Sequence, residues 1–362
     1  MIYNNILEIN LSTIKDNYRY LSQIVSSNIA PVLKANAYGL GVENISRALI
    51  QEGCKDFFVS SLDEALELRY LYKENINIYV LSGLIPMEME QARIYKIIPV
   101  INHLDQLENY NNFSKTAGEK LPAILHFDTG MNRLGMEKGE ILKIIDNKDL
   151  ISSIEISYIM SHLSVAEDSN NLRNREQREK FIQYAKHFKD IPLSLANSSG
   201  IFLGKEYHFD MVRPGASIYG INPFRNKPNP MQNPVSLKSY ILQLRNIKKG
   251  EYVGYGNNFK ASRDKKVAVI SIGYADGYKR VDTSKSYVII EGEKAKIIGN
   301  ISMDYTTIDV TDISSHKLYL GASVEIIGKN IHQDILGVMQ NTIGYEVLTS
   351  LGNRYKRLYV DK

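Results

Sequence analysis

From Ala30 onward the chain repeats one pattern. A short apolar run rich in β-branched residues is followed by a polar or glycine-containing turn, then by a stretch whose apolar positions have helical spacing. The strand-like runs are APVLKA, KDFFVSS, INIYVLSG, KIIPVIN, AILHFDTG, IEISYIMSH, IPLSLANSS and DMVRPGASIYG. Between them lie helical stretches: VENISRALIQEG, SLDEALELRYLYK, KGEILKIIDN and the long NNLRNREQREKFIQYAKHF, whose many charges read as a solvated helix face. Strands separated by roughly one helix each predict right-handed crossovers and a parallel sheet. Eight such units closed on themselves make a (β/α)8 TIM barrel, for which about 200 residues is near the lower limit. An open doubly wound sheet is the competing arrangement, and no G-x-G-x-x-G follows the first strand to support it.

After about Pro234 the texture changes. KSYILQLRNI, KKVAVISIGYA, KSYVIIEGEKAKIIG, YTTIDVT and ASVEIIG are short strands separated by Gly, Asp and Lys turns, an all-β pattern. The proline-rich NPFRNKPNPMQNP reads as a linker. The expected organisation is a barrel over residues 11–233 and a mainly β C-terminal domain over 234–362, joined by the strand within residues 1–10.

Composition narrows the function classes. Of 362 residues, 44% are hydrophobic and 23% charged, the balance of a soluble globular protein. The net charge of +4 is spread along the chain, without the basic stripe that nucleic-acid binding needs. A single cysteine, Cys54, excludes an intramolecular disulfide, suits a reducing compartment and reads as a small core residue. MIYNNILEIN has neither a basic start nor a continuous apolar block, and no apolar run is long enough to span a bilayer. The expectation is a cytoplasmic protein with no nucleic-acid or membrane partner.

One residue interrupts the apolar pattern. In VLKANAYGLG, Lys34 stands where a buried strand would continue, although a buried ammonium is costly unless paired and its pKa falls on burial. It reads either as the strand's exit into solvent or as a functional amine. In a barrel, catalytic groups collect at the C-terminal ends of the strands. Lys34 closes the first strand, Asp128 and Arg133 follow the fifth, His162 ends the sixth, Asn197 and Ser198 end the seventh, and Arg213 lies on the eighth. Each alone reads as a loop or capping residue; together at one rim they read as a site. Arg213 is followed by Pro214, Gly215 and Ala216, a small-residue turn that exposes backbone N–H groups where barrels bind phosphate, and Ser198 adds a hydroxyl. A phosphate on that side and a lysine on strand one point to pyridoxal 5′-phosphate held as a Schiff base, no metal being required. An aldolase forming its Schiff base with substrate is the alternative.

VLKANAYGLG, HFDTGMNRLGM, LANSSG, MVRPGASIYG, VGYGNNF, IGYADGYKR, GNISMD and IGYEV occur in the order found in alanine racemases, and with NILEINLS the resemblance spans essentially the whole chain. It implies a pyridoxal-phosphate isomerase that supplies D-alanine for peptidoglycan, and it implies a role for each matching residue. Lys34 carries the cofactor and Tyr38 lies near its phosphate. Ser198, Gly215, Ala216 and Tyr345 bind that phosphate. Arg213 faces the pyridine nitrogen, and His162 lies near the ring, linking Arg213 to Tyr255. Arg133 approaches the phenolic oxygen and the substrate carboxylate, to which Met303 offers its N–H. Tyr274 and Arg280 line the channel through which substrate enters. Lys34 and Tyr255 are the two bases, one for each face of the planar carbon, and proximity to His162 and Arg213 lowers the tyrosine pKa. The family's architecture is a homodimer in which the tyrosine reaches the partner's site.

Relatives leave other readings open: a broader racemase acting on serine or basic amino acids, a barrel-plus-β decarboxylase, and a non-catalytic carrier of pyridoxal phosphate. The β domain argues against the carrier, and no cysteine-bearing decarboxylase segment is present. The chain also departs from the family it resembles. Where that family commonly has a carbamylated lysine, ILHFDTGM has His126, which supplies no negative charge. Three arrangements follow: neutral His126 accepting a hydrogen bond from Arg133, an anion such as chloride between them, or His126 in the barrel core with Arg133 held elsewhere.

Overall fold

The computed structural model describes residues 5–73, 75–280 and 283–361. The chain divides into two compact units: one holds Lys15–Ala37 and Gly41–Met231; the other holds the residues up to Ile14, the short piece Tyr38–Leu40, and the chain from Gln232 on.

The first unit is the parallel barrel. The first strand of the chain, β1 (Ile6–Asn10), belongs to the other unit; the barrel strands are β2 (Asn28–Ile29), β3 (Asp56–Val59), β4 (Asn77–Val80), β5 (Ile97–Ile101), β6 (Leu121–His126), β7 (Ile154–Met160), β8 (Leu193–Asn197) and β9 (Met211–Arg213). They hydrogen-bond in the order β2-β9-β8-β7-β6-β5-β4-β3, and a parallel bridge from Val32 to Phe58 closes the ring. All four residues of β3 are buried, as are five of six in β6, as expected of strands covered on both faces.

Two details differ from the sequence pattern. The run APVLKA is not one strand: the ladder is made at Asn28–Ile29 and resumes at Val32. Pro31 has no N–H to donate and only accepts, from Phe58 N–H at 3.0 Å, while Leu33 N–H donates to Phe58 O at 2.8 Å. Between β8 and β9 the connection is two 3₁₀ turns, Gly200–Leu203 and Lys205–Tyr207, rather than an α-helix.

The N-terminal end of the barrel is closed by a polar cluster. The buried Asp56 carboxylate accepts from Asn28 Nδ2 (2.9 Å), Asn77 Nδ2 (2.9 Å) and the Tyr79 hydroxyl (2.8 Å), tying the starts of the first three barrel strands together.

The second unit is built on β10 (Val235–Ile247), β11 (Tyr252–Val253), β12 (Phe259–Lys260), β13 (Lys265–Ile270), β14 (Tyr287–Ile290), β15 (Glu293–Ile297), β16 (Thr306–Asp309), β17 (Ser323–Ile327) and β18 (Lys356–Val360). The long β10 pairs with β17 over its first half and with β13 over its second, switching at a bulge between Ile241 and Gln243. That switch closes β10, β13, β16, β15, β14 and β17 into a ring. β1 adds to β10 antiparallel, and β18 adds to β1 in parallel. The unit is not all-β. Gln333–Met339 and Gly344–Thr349 form two short helices, and Gly344 lets them meet: a Cβ there would lie 2.1 Å from Asp334 Oδ1. Helices of two turns interrupted by glycine leave too little periodicity to read.

Replacing Asp56→Ala leaves the buried Tyr79 hydroxyl without its acceptor, while the two asparagine amides can turn to water. It should lower unfolding stability by about 1–3 kcal/mol, measured by urea denaturation, whereas Asp56→Asn should cost less.

Candidate active site

Lys34 ends the first barrel strand at the head of an uncommon turn. Ala35, Asn36, Ala37 and Tyr38 all take left-handed dihedrals, with φ of 53°, 53°, 51° and 56°. For L-residues this costs about 1–2 kcal/mol each, on the order of 4–8 kcal/mol together. Surrounding bonds hold it: Ala37 N–H donates to Leu33 O (2.8 Å), Gly41 N–H to Asn36 O (3.0 Å), and Val42 N–H to Asn36 Oδ1 (2.7 Å). Glu64 accepts Ala35 N–H and Ser60 N–H, each at 2.7 Å. Strain of this kind persists where the surroundings over-determine it. The half-buried Lys34 amine is held below its ordinary pKa, first by burial and then by the Arg133 guanidinium, with Glu64 opposing.

Arg213 is almost fully buried and has only neutral acceptors. It donates to Ser194 Oγ through Nη1, and through Nη2 to Ser161 O (2.6 Å) and Leu195 O (3.4 Å). Its Nε–H and one Nη1–H have no partner among the described residues. Burial pulls its pKa down to about 10, which still leaves it charged at neutral pH. His162 is pushed well below its ordinary value by burial, then by Arg213 and Arg133, so it is neutral. Electrostatic proximity, not a hydrogen bond, joins it to Arg213.

His126 answers one question left by the sequence. Its Nδ1 lies 2.7 Å from Asn102 Oδ1. Asn102 donates both amide hydrogens to carbonyls, Leu81 O and Val100 O, each at 3.0 Å, so Oδ1 must accept. His126 therefore carries its proton on Nδ1 and presents a lone pair at Nε2. Burial, then Arg213, lower its pKa to about 3, with Arg133 adding to the fall and Asp128 opposing. The Arg133–His126 bond is not formed. Nε2 is left to accept, but Arg133 stands exposed on a loop fixed by Asp128, whose Oδ1 accepts the N–H of Gly130 (2.8 Å), Met131 (2.9 Å) and Asn132 (3.2 Å). Asp128 is thus a loop organiser, and Asn197, accepting Gly200 N–H at 2.9 Å, is another.

The Ser198 hydroxyl oxygen accepts from Gly215 N–H (3.0 Å) and Ser217 N–H (3.1 Å). With both lone pairs used, its hydrogen is left to point outward as a donor, beside the buried Ala216. The barrel therefore brings Lys34, Arg133, His162, Ser198, Arg213, Gly215 and Ala216 to one rim.

The remaining residues lie in the β unit. Tyr38 and Tyr345 face one another, ring centroids 6.1 Å apart, and Tyr38 titrates above its ordinary value because of burial and then Tyr345. Tyr255 sits at the tip of the β11–β12 hairpin, 72% exposed, its carbonyl held by Asn300 Nδ2 at 2.8 Å. Asn300 begins a strap that also accepts Tyr274 N–H at Ser302 O and Ala275 N–H at Met303 O, both at 3.0 Å. The fit is close: a Cβ on Gly273 would lie 2.3 Å from Met303 O. Arg354 ties the same pieces, reaching Asp304 Oδ1 (2.9 Å) and the buried Asp276 Oδ1 (3.2 Å). Met303 N–H makes no hydrogen bond among the described residues, and Arg280 is exposed.

The alanine racemase N-terminal domain model matches residues 9–223, and the C-terminal domain model residues 234–359. The chain belongs to the alanine racemase family. Alanine racemase of Rickettsia bellii is 47% identical, over 91% of this chain and 81% of the relative; that of Rickettsia canadensis is 45% identical over 98% of both. Among solved structures, alanine racemase from Bartonella henselae, described with covalently bound pyridoxal phosphate, superposes with a TM-score of 0.96 at 40% identity, over 99% of both chains. Alanine racemase from Acinetobacter baumannii gives a TM-score of 0.90 at 32% identity, over 99% of this chain and 100% of that one. Motif reading missed Asn102 and Glu64, which act by holding a neighbour and carry no sequence signal of their own. Asn300 lies within GNISMD, but its role in holding the Tyr255 carbonyl was not read from it.

Both mouth histidines have folded-state pKa values below the unfolded value of about 6.5. The unfolded chain therefore binds protons first as pH falls, and the stability they contribute is complete above about pH 6.5. It is lost on acidification, for His126 down to about pH 3, by up to about 1.4 kcal/mol per pH unit. Urea unfolding between pH 7 and 5 should show this slope, and His126→Gln should reduce it.

Proposed function

We propose that the chain interconverts L- and D-alanine using pyridoxal 5′-phosphate bound at the barrel mouth, and so supplies D-alanine for peptidoglycan in the cytoplasm. The observation that carries this reading is the charge balance of the mouth. Arg213, Arg133 and Lys34 gather there with two neutral histidines, and the carboxylates beside them, Asp128 and Glu64, are committed to backbone N–H groups. Such a pocket fits an anionic phosphate ester and an amino-acid carboxylate. When bound, the cofactor supplies the electron withdrawal that acidifies the α-hydrogen of an amino acid attached to it.

The chain's own groups do the rest. Lys34, its ammonium destabilised by burial, holds the cofactor and takes or returns the proton on one face. Ser198 O–H, with the N–H groups of the turn at Gly215 and Ala216, holds the phosphate on the barrel side. Arg213, with donors left unbonded, would face the ring nitrogen; an arginine does not give up its proton readily, so that nitrogen would stay unprotonated. Arg133 takes the carboxylate from the barrel side; in the β unit the unbonded Met303 N–H is a further donor for a carboxylate, and Tyr274 and Arg280 suit an approach channel. Tyr255 serves the opposite face. Its exposure at a hairpin tip fits a homodimer in which each Tyr255 enters the partner's barrel.

The test is α-hydrogen exchange in deuterated water across a panel of L-amino acids, with the purified protein and added cofactor. Fast exchange with alanine, and much slower exchange with serine and larger residues, is expected. Bound cofactor without exchange would contradict the reading and favour a carrier. Lys34→Ala should lose the visible absorbance of covalently held cofactor and nearly all turnover. Mixing inactive Lys34→Ala and Tyr255→Phe chains should restore part of the activity after subunit exchange; no recovery would mean that each chain completes its own site.

A further inference from the structure

The helix Leu172–Ala185 is charged along its exposed side, but it carries a glutamine that is completely buried. Gln177 uses its whole amide. Nε2 donates to His162 O at 3.1 Å and to Thr129 Oγ1 at 3.4 Å; Oε1 accepts from Ser164 N–H and Ser164 Oγ–H, each at 2.9 Å. Two donors and two acceptors exhaust what a primary amide offers, so its orientation is fixed.

The partners link two parts of the barrel mouth. Thr129 follows β6 and opens the loop that carries Arg133; His162 and Ser164 follow β7. Thr129 Oγ1 also lies 2.8 Å from Ser161 Oγ, and Ser161 O accepts from the buried Arg213. One turn earlier on the same helix face, Arg173 Nη2 donates to Gly130 O at 3.3 Å, so the helix grips the Arg133 loop twice. The loop's internal bonds to Asp128 set its shape, whereas Gln177 sets its place relative to His162.

We infer that Gln177 is a positioning residue for the racemase site: its amide holds the Arg133 loop against the His162 segment and so sets where Arg133 meets the substrate carboxylate. The inference rests on the reading of Arg133 as a carboxylate contact. Gln177 touches neither substrate nor cofactor and acts only through these loops. Loosening it should weaken substrate binding while leaving the phosphate cradle at Ser198 and the lysine turn intact.

The test compares Gln177→Met, which removes all four bonds at similar volume, with Gln177→Glu, which keeps the two from Ser164 and loses the two it donates. Both should raise KM for L-alanine about tenfold, as loss of one oriented charge-assisted contact does, with kcat and cofactor affinity nearly unchanged. In cofactor-free protein, amide hydrogen exchange in residues 129–135 should accelerate. Thr129→Val guards against a folding failure: it should raise KM similarly, and Gln177→Met combined with it should add little. Thr129→Ser should behave as the parent chain. Unchanged KM in folded variants, or KM, kcat and cofactor affinity all deteriorating together, would overturn the inference. Arg133→Met separates the two levels. If it raises KM and the Gln177 variants do not, the positioning role alone fails; if it leaves KM unchanged, the carboxylate reading fails first.

Discussion

A guanidinium buried at the barrel mouth with only neutral oxygens to bond is the constraint around which the site is arranged. Removing Arg213 from water costs several kcal/mol, and neither hydroxyl nor carbonyl acceptors return what an anion would. Its field then acts on its neighbours. His126 and His162, themselves buried, are held neutral, and Arg133 bears on the same pair and on Lys34. The mouth is therefore short of negative charge, and an anionic ligand bound there would stabilise the fold. An amine with a lowered pKa beside such a pocket is suited to forming a Schiff base, which needs the free amine.

The chain divides the labour between its units. The barrel carries the cations, the lysine and the Ser198–Gly215 turn, on strand ends whose register is fixed by a closed sheet. The β unit carries Tyr255 and Tyr274, whose backbones are held by the strap that starts at Asn300. One stretch of sequence contributes to both: Lys34 belongs to the barrel, and Tyr38, four residues on, belongs to the β unit beside Tyr345. The left-handed turn between them reverses the chain without a glycine, and the Glu64 carboxylate and the Asn36 side chain stabilise it.

How much was legible in the sequence follows from how far each feature depends on local pattern. The barrel was legible because continuous apolar runs alternating with helices have few other solutions. Lys34, His162 and Arg213 stood out because polar residues at buried strand ends need a reason, and Arg133 because it follows one of those strands at the same rim. Tyr255 was legible only through its motif, since one tyrosine among 24 on a hairpin carries no signal. The left-handed dihedrals at Ala35–Tyr38 could not be read, because alanine and tyrosine do not advertise positive φ. The state of His126 was half legible: that it supplies no negative charge followed from its residue type, but its neutrality comes from burial among cations and its partner Asn102 lies 24 residues away at the end of the adjacent strand. Gln177 was hidden by its surroundings, a single amide in a helix whose charges pointed to solvent.

The central claim is that proton transfer is divided between two residues, Lys34 from the barrel and Tyr255 from the β unit, on opposite faces of one carbon. The most direct measurement is α-hydrogen exchange of L-alanine and of D-alanine, separately, in deuterated water with Tyr255→Phe protein carrying its cofactor. The account predicts that exchange from L-alanine is nearly abolished, whereas exchange from D-alanine, which the lysine serves, largely persists. Equal exchange from the two enantiomers would contradict it.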